Sequence, residues 1–253
     1  MTTVTEGRGG RWRDLLLVGL SLVALAILLL LGTWQVQRLH WKEALLETIA
    51  ARIDAPPREL SEIETLLATE GDVEYWPVRV TGRFRHDGER HFFATHKGMS
   101  GYYVYTPLEL DGGRFILVNR GFVTHHFKDP AFRPVGQVEG EVTVAGLARN
   151  RLEGKPSFMV PDNDPTQNIF YWKDLTAMAA TSGVGGVDDY LPFFIDADDT
   201  GNPGGLPIGG VTIVDLPNNH LQYAVTWYGL AAALLAVVGA WFWRRAFPAA
   251  DRP

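Results

Sequence analysis

Residues 15–34 read LLLVGLSLVALAILLLLGTW, and residues 221–243 read LQYAVTWYGLAAALLAVVGAWFW. Neither stretch holds a charged residue, and each is as long as a helix must be to cross the hydrocarbon core of a bilayer, roughly 20 residues. A core helix of a soluble protein rarely stays apolar around its whole circumference for that length. The second stretch also carries aromatic residues toward both ends, where an interfacial belt places them. Arg8, Arg11 and Arg13 precede the first stretch, and Arg244 and Arg245 follow the second. Basic flanks stay on the cytoplasmic side, so both termini are expected there and everything between on the opposite face. The LGTWQ at the end of the first stretch is not a small-x-small cleavage site, which makes the stretch an anchor rather than a signal peptide. The basic flank before it is short for a mitochondrial transit peptide, and the expected location is a bacterial cytoplasmic (inner) membrane.

This reading divides the chain into a cytoplasmic tail at 1–14, a transmembrane helix at 15–34, a periplasmic β-rich domain at 35–217, a second transmembrane helix at 218–243 and a cytoplasmic tail at 244–253. Over the 253 residues there is no cysteine, which excludes disulfides, thiolate metal sites and cysteine nucleophiles. The formal charge of −6, with no basic stripe, gives no footprint for nucleic acid.

Between the anchors the periodicity changes. QVQRLHWKEALLETIAARI keeps helical spacing, so the first helix is expected to run on and stop near Asp54, before Pro56 and Pro57. A short helix is expected over Glu59–Ala68 and another over Lys173–Ala180. WPVRVTGRF, HFFATH, GYYVYTPLEL, RFILVNRGFV, EVTVAGLA and YLPFFIDA are rich in β-branched and aromatic residues and are bounded by Gly, Pro and Asp. Asp111-Gly112-Gly113 marks a hairpin. The fold class is therefore membrane-anchored α+β: two transmembrane helices flanking a mainly antiparallel β barrel or sandwich with a few helices. Closure in either form protects sheet edges.

The central region offers little recognisable catalytic chemistry. His86, His91 and His96 are five apart, which alternates faces along a strand, and they read as solvated strand residues rather than a converging metal site. His125-His126 in THHFKDP leave room for a copper-chaperone reading. DADDTG at 196–201 resembles the start of a calcium loop, but its twelfth position is Pro207, so it reads as an acidic turn. Ser100 in GMSGY lacks the strand-to-helix setting of a nucleophile elbow. No covalent catalysis is expected, and a membrane-tethered hydrolase ranks last among the readings.

LGTWQVQRLHWKEALL, ILVNRGFV, GQVEGEVTVAGLAR, PDNDPTQNIFYWKDL, FFIDAD, PGGLPIGG and NNHLQYAVTWYGLA follow one another in this order. Together they resemble the Surfeit locus protein 1 family of cytochrome c oxidase assembly factors, over about Leu31 to Trp243. The resemblance implies a membrane protein that assists insertion of haem a into the catalytic subunit of cytochrome c oxidase, with haem A synthase as a further possible partner alongside the lipid bilayer. It also implies that a histidine at the mouth of the second span binds haem a, and the matching position is His220. Phe170 stands in NIFYWKD where the family pattern leads one to expect Trp. A cofactor-free scaffold for the nascent subunit is the alternative.

The residues around His220 suit a haem ligand. A helix starting near Asn218 places His220, Tyr223, Ala224, Trp227 and Ala231 on one face, a possible axial ligand with aromatic and small neighbours. Asn218 or Asn219 would cap it. Arg38 and Lys42, one turn apart beyond the first span, are the cations expected near the propionates, with Trp34 and Trp41 on the Arg38 side. His220 is the expected axial ligand of the haem iron.

Overall fold

The computed structural model describes residues 8–212 and 218–247. The ends of both expected tails, the junction at 213–217 and the side chains of Arg8 and Arg11 lie outside the described residues. The chain forms two compact units, one joining the residues up to Thr48 with those from Asp215 onward, the other spanning Ile49–Val214.

The first unit is a pair of helices. Helix α1 (Arg8–Ile53) runs without interruption through the apolar stretch and the polar segment after it. It ends where the sequence placed the stop, just before the Pro56-Pro57 pair, since proline cannot donate to the ladder and disfavours a helical residue before it. Helix α4 (His220–Ala246) is the second apolar helix. Both are long and apolar enough to cross a membrane.

Covered positions on α1 fall at Val18, Ser21, Leu25, Leu28, Gly32, Gln35 and Leu39. On α4 they fall at His220, Ala224, Trp227, Ala231, Leu234, Val238 and Trp241. Alternating steps of three and four generate a seam between two helices lying side by side. Small residues let the backbones approach: a Cβ added to Gly32 would stand 2.9 Å from Cε1 of Tyr228. Thr33 Oγ1 and the Tyr228 hydroxyl share a hydrogen bond of 3.1 Å. Asp14 pairs with Arg245 at one end of the seam, and Gln35 meets His220 at the other, so the helices are antiparallel.

The second unit is a barrel. Its elements are strand β1 (Arg58–Glu59), helix α2 (Leu60–Glu70), strands β2 (Pro77–Phe84), β3 (Arg90–His96), β4 (Met99–Glu109), β5 (Phe115–Thr124) and β6 (Glu141–Asn150), helix α3 (Leu175–Thr181) and strand β7 (Tyr190–Ala197). The strand order is β1-β2-β6-β7-β5-β4-β3, and β2 also pairs with β4 through Arg83–Glu109 and Phe84–Leu108. That last pairing closes β2, β6, β7, β5 and β4 into a ring, so the architecture is a five-stranded barrel and not a sandwich. Pairing is antiparallel around the ring except between β5 and β7, which run parallel.

Period-two alternation fills the interior. Val78, Val80, Leu108, Ile116, Val118, Val144, Leu191, Phe193 and Ile195 point inward, and Ile63 of α2 packs against them. The intervening Phe115, Leu117, Tyr190 and Phe194 face outward, where Leu175, Met178 and Ala179 of α3 cover them. Strand β3 lies outside the ring, and its free edge is occupied by the chain around Phe170, whose N–H donates to His91 O at 2.9 Å and whose carbonyl accepts from Phe93 N at 2.7 Å. Phe170 is fully buried, so the ring at this position is used for packing. Gly121 in β5 has φ 126°, and a Cβ there would fall 1.9 Å from Ile208 O. Only glycine permits the Phe122–Ile208 pairing beside it.

Two sequence expectations need correction. His91 is buried, at 4% exposure, and His86 is half-buried in a short 3₁₀ turn, so these are not solvated strand residues. Asp196 belongs to β7 and is buried, so the acidic turn begins only after Ala197. In both cases a second layer covers a sheet face that a one-sided sheet would have left to water.

Candidate functional site

His220 opens α4 and faces the seam. Its Nδ1 lies 2.7 Å from Oε1 of Gln35, which is buried on α1. An amide oxygen can only accept, so Nδ1 is the donor of this pair, and the tautomer that carries its hydrogen there has its lone pair on Nε2. Nε2 makes no hydrogen bond among the described residues. Asn218 Oδ1 accepts from the His220 N–H at 3.4 Å, a long contact, and the Asn219 side chain makes no cap bond.

The other expected site residues divide by face. Trp227 is half-buried on the seam with His220, with Ala224 and Ala231 buried beside it. Tyr223 and Trp34 are more than half exposed and flank the seam rather than line it. Arg38 places its guanidinium 3.7 Å from the centroid of the Trp41 ring, a cation–π contact that leaves its hydrogen-bond donors free for another partner. Lys42 is half-buried two turns beyond Gln35. Among the described residues no hydrogen bond joins Arg38 or Lys42 to His220. Gln35 is the residue the sequence reading missed. The only available signal was its position, three residues after Gly32 on the same helical face as the close approach to α4.

The barrel unit has its own polar clusters. Glu89 accepts from both terminal nitrogens of Arg133, and both side chains are buried. Burial pushes the Glu89 carboxyl up, but its contacts with His86, 3.6 Å away, and with the Arg133 guanidinium outweigh burial and hold the group down at about 2. Burial takes His91 down to about 4, so it is neutral at physiological pH. Asp196 accepts from Asn119 at 3.0 Å, Arg149 at 2.6 Å and Thr212 at 3.1 Å, with Lys173 at 3.8 Å. Burial raises this carboxyl, and the Lys173 and Arg149 charges more than offset it, leaving it below the usual range.

His125 and His126 are both exposed. His125 bonds Ser100 Oγ through Nε2 at 3.2 Å and the Tyr102 hydroxyl through Nδ1 at 3.1 Å, a pairing not visible in the sequence. His126 stacks on Phe132. Among the described residues no three His, Asp or Glu side chains gather as a metal site.

A closed barrel in one unit, and in the other two membrane-length helices with a histidine held by a glutamine between them, define a class of protein with two candidate membrane spans and a polar pair at their seam. The model of the SURF1 family matches residues 22–232. Surfeit locus protein 1 of Xenopus tropicalis is 42% identical over 220 residues, covering 80% of this chain and 68% of that protein. The Homo sapiens protein of the same name is 41% identical, covering 80% and 70%. A SURF1-like protein of Monosiga brevicollis is 40% identical, covering 82% and 80%. The chain belongs to the SURF1 family.

Proposed function

We propose that this chain is an assembly factor for cytochrome c oxidase that binds haem a at His220 and assists its entry into the catalytic subunit. Family membership supports the assembly role. The observation that carries the haem reading is the Gln35–His220 hydrogen bond. A ligating histidine characteristically gives its second ring N–H to an acceptor that fixes the tautomer and the ring plane, and Gln35 supplies that acceptor for Nδ1. Haem a brings an iron that accepts a neutral imidazole and two propionates that need cationic partners. His220 Nε2 would hold the iron, Trp227 would flank the ring from the seam, Tyr223 and Trp34 would flank it from the sides, and Arg38 or Lys42 would meet the propionates. Arg38 is suited to a bidentate contact. Haem a is cargo in this reading, received from a donor such as haem A synthase.

The same proposal places α1 and α4 across a bacterial cytoplasmic membrane, with both termini cytoplasmic and the barrel in the periplasm. Arg13 before the first apolar stretch and Arg244 and Arg245 after the second support that orientation.

The test is the haem content and visible spectrum of the purified chain. His220→Ala should lose haem stoichiometrically while the far-ultraviolet circular dichroism stays unchanged; full haem occupancy with an unaltered spectrum would remove the ligand assignment. A scaffold reading draws on Phe158, which is 93% exposed beside an exposed Met159 in a turn closed by the Val160 N–H on Ser157 O, an apolar tip available to a partner subunit. Normal oxidase assembly in cells carrying His220→Ala would favour it.

A further inference from the structure

A second site is built into the barrel unit around Arg120 of β5, remote in sequence from His220. Arg120 is only 2% exposed. One terminal nitrogen donates to Gly136 O at 2.5 Å and Asn202 Oδ1 at 3.2 Å, and the other lies 3.3 Å from His86 Nδ1. All three acceptors are uncharged. Nε is buried and has no acceptor among the described residues. Glu89 stands 3.7 Å from the guanidinium, beyond hydrogen-bond reach, and each of its oxygens accepts from Arg133. Two buried guanidinium groups therefore share one carboxylate, and one positive charge is left over. A buried charge without a counter-charge is unfavourable unless something supplies the partner.

The surplus cation borders a space that can supply it. Arg120 lines a pocket of about 400 Å³ together with Arg79, Phe84, Thr143, Asp198 and Asn202, over an aliphatic surface from β6. The volume is in the range of small-molecule sites. Phe84 also lies under the Arg120 guanidinium, 4.7 Å from its centroid. Arg79 is exposed, so it is free to turn toward an incoming anion. Asp198 contributes one negative charge to the lining, which disfavours a dianion. We propose that this pocket binds a small monocarboxylate with an apolar body, its carboxylate set against Arg120 and Arg79 and its body against Phe84 and the β6 aliphatic surface.

The test uses the full chain in detergent, in chloride-free buffer, titrated calorimetrically with benzoate. Benzamide, the uncharged isostere, and inorganic phosphate are titrated in parallel. Saturable benzoate binding at one site, with benzamide and phosphate at least tenfold weaker, is expected. Arg79→Gln should weaken benzoate at least fivefold. Thr143→Trp, which fills the pocket from an exposed strand position, should abolish binding while the unfolding transition of the ligand-free chain stays in place. Absence of saturable benzoate binding, equal binding of benzamide, tighter binding of phosphate, or unchanged affinity in both variants would each overturn the proposal.

Discussion

Replacing Glu89 with Gln tests the electrostatic core of the barrel. The substitution keeps the shape of the side chain and removes the carboxylate that pairs with both Arg133 and Arg120. The folded protein holds the Glu89 carboxyl at about 2, against 4.5 ordinarily. At about 1.36 kcal/mol per unit, the ionised carboxylate contributes about 3 kcal/mol to folding at neutral pH. Removing one member of a buried ion pair costs about 3–5 kcal/mol by general experience, in line with that figure. Because the folded value is depressed, the contribution is complete above pH 4.5 and is lost as the pH falls from 4.5 toward 2. Urea unfolding of the full chain in detergent, followed by tryptophan fluorescence from pH 8 to pH 2.5, measures it. The gap between wild type and Glu89→Gln should be about 3 kcal/mol and flat above pH 5, then narrow by up to about 1.4 kcal/mol per pH unit below 4.5. A gap under about 1 kcal/mol at pH 7, or one that persists undiminished at pH 2.5, would refute the assignment of Glu89 as an ionised, paired group.

Gln35→Leu should weaken haem binding by about 10- to 100-fold while leaving His220 as the ligand, read by spectral titration, because it removes the acceptor that orients the ring. Gly32→Ile should force α1 and α4 apart at Tyr228 and destabilise the helix pair by about 1–3 kcal/mol, read as a lower thermal midpoint in detergent. Gly121→Ala should be more damaging than any single surface change, about 3 kcal/mol or more, since it combines a positive φ with a collision against Ile208 O; a barrel midpoint within 2 °C of wild type would contradict that. Met178→Ala should cost about 2–5 kcal/mol in the barrel transition by opening a cavity under α3.

The parts of this structure that follow a single period could be read from the sequence. The two apolar stretches became α1 and α4, and each run of β-branched and aromatic residues became a strand. Helix α3 begins at Leu175 and not Lys173 because Asp174 accepts from the Ala177 N–H at 2.9 Å and fixes the start there. Lys173 is thereby freed to turn toward Asp196. The burial of His91 and Asp196 was not legible. Strand β5 is covered along nearly its whole length, and where both faces of a sheet are covered the alternation of polar and apolar residues no longer marks the solvent side. A polar residue there is explained by its partner, which lies far off in sequence, as Asn119 does from Asp196. Within the candidate site, His220 stood out through its position and the family resemblance. Gln35 did not, because a glutamine beyond a membrane-length stretch looks like ordinary interfacial polarity until the opposing helix is in place.

The β5–β7 seam also sets an order in time. Strand β7 is the last strand of the ring, and it must slot between β5 and β6, both made earlier. Until residues 190–197 arrive, β5 and β6 each present an unpaired edge and the interior lacks Leu191, Phe193 and Ile195. Closure by a late strand across long sequence separations is slow, and open edges in the waiting intermediate invite pairing with other chains. A chain interrupted before Tyr190 would therefore be prone to aggregation, whereas one interrupted after Pro207 would already hold every strand of the barrel, though not Ile208 on Phe122 or Thr212 on Asp196.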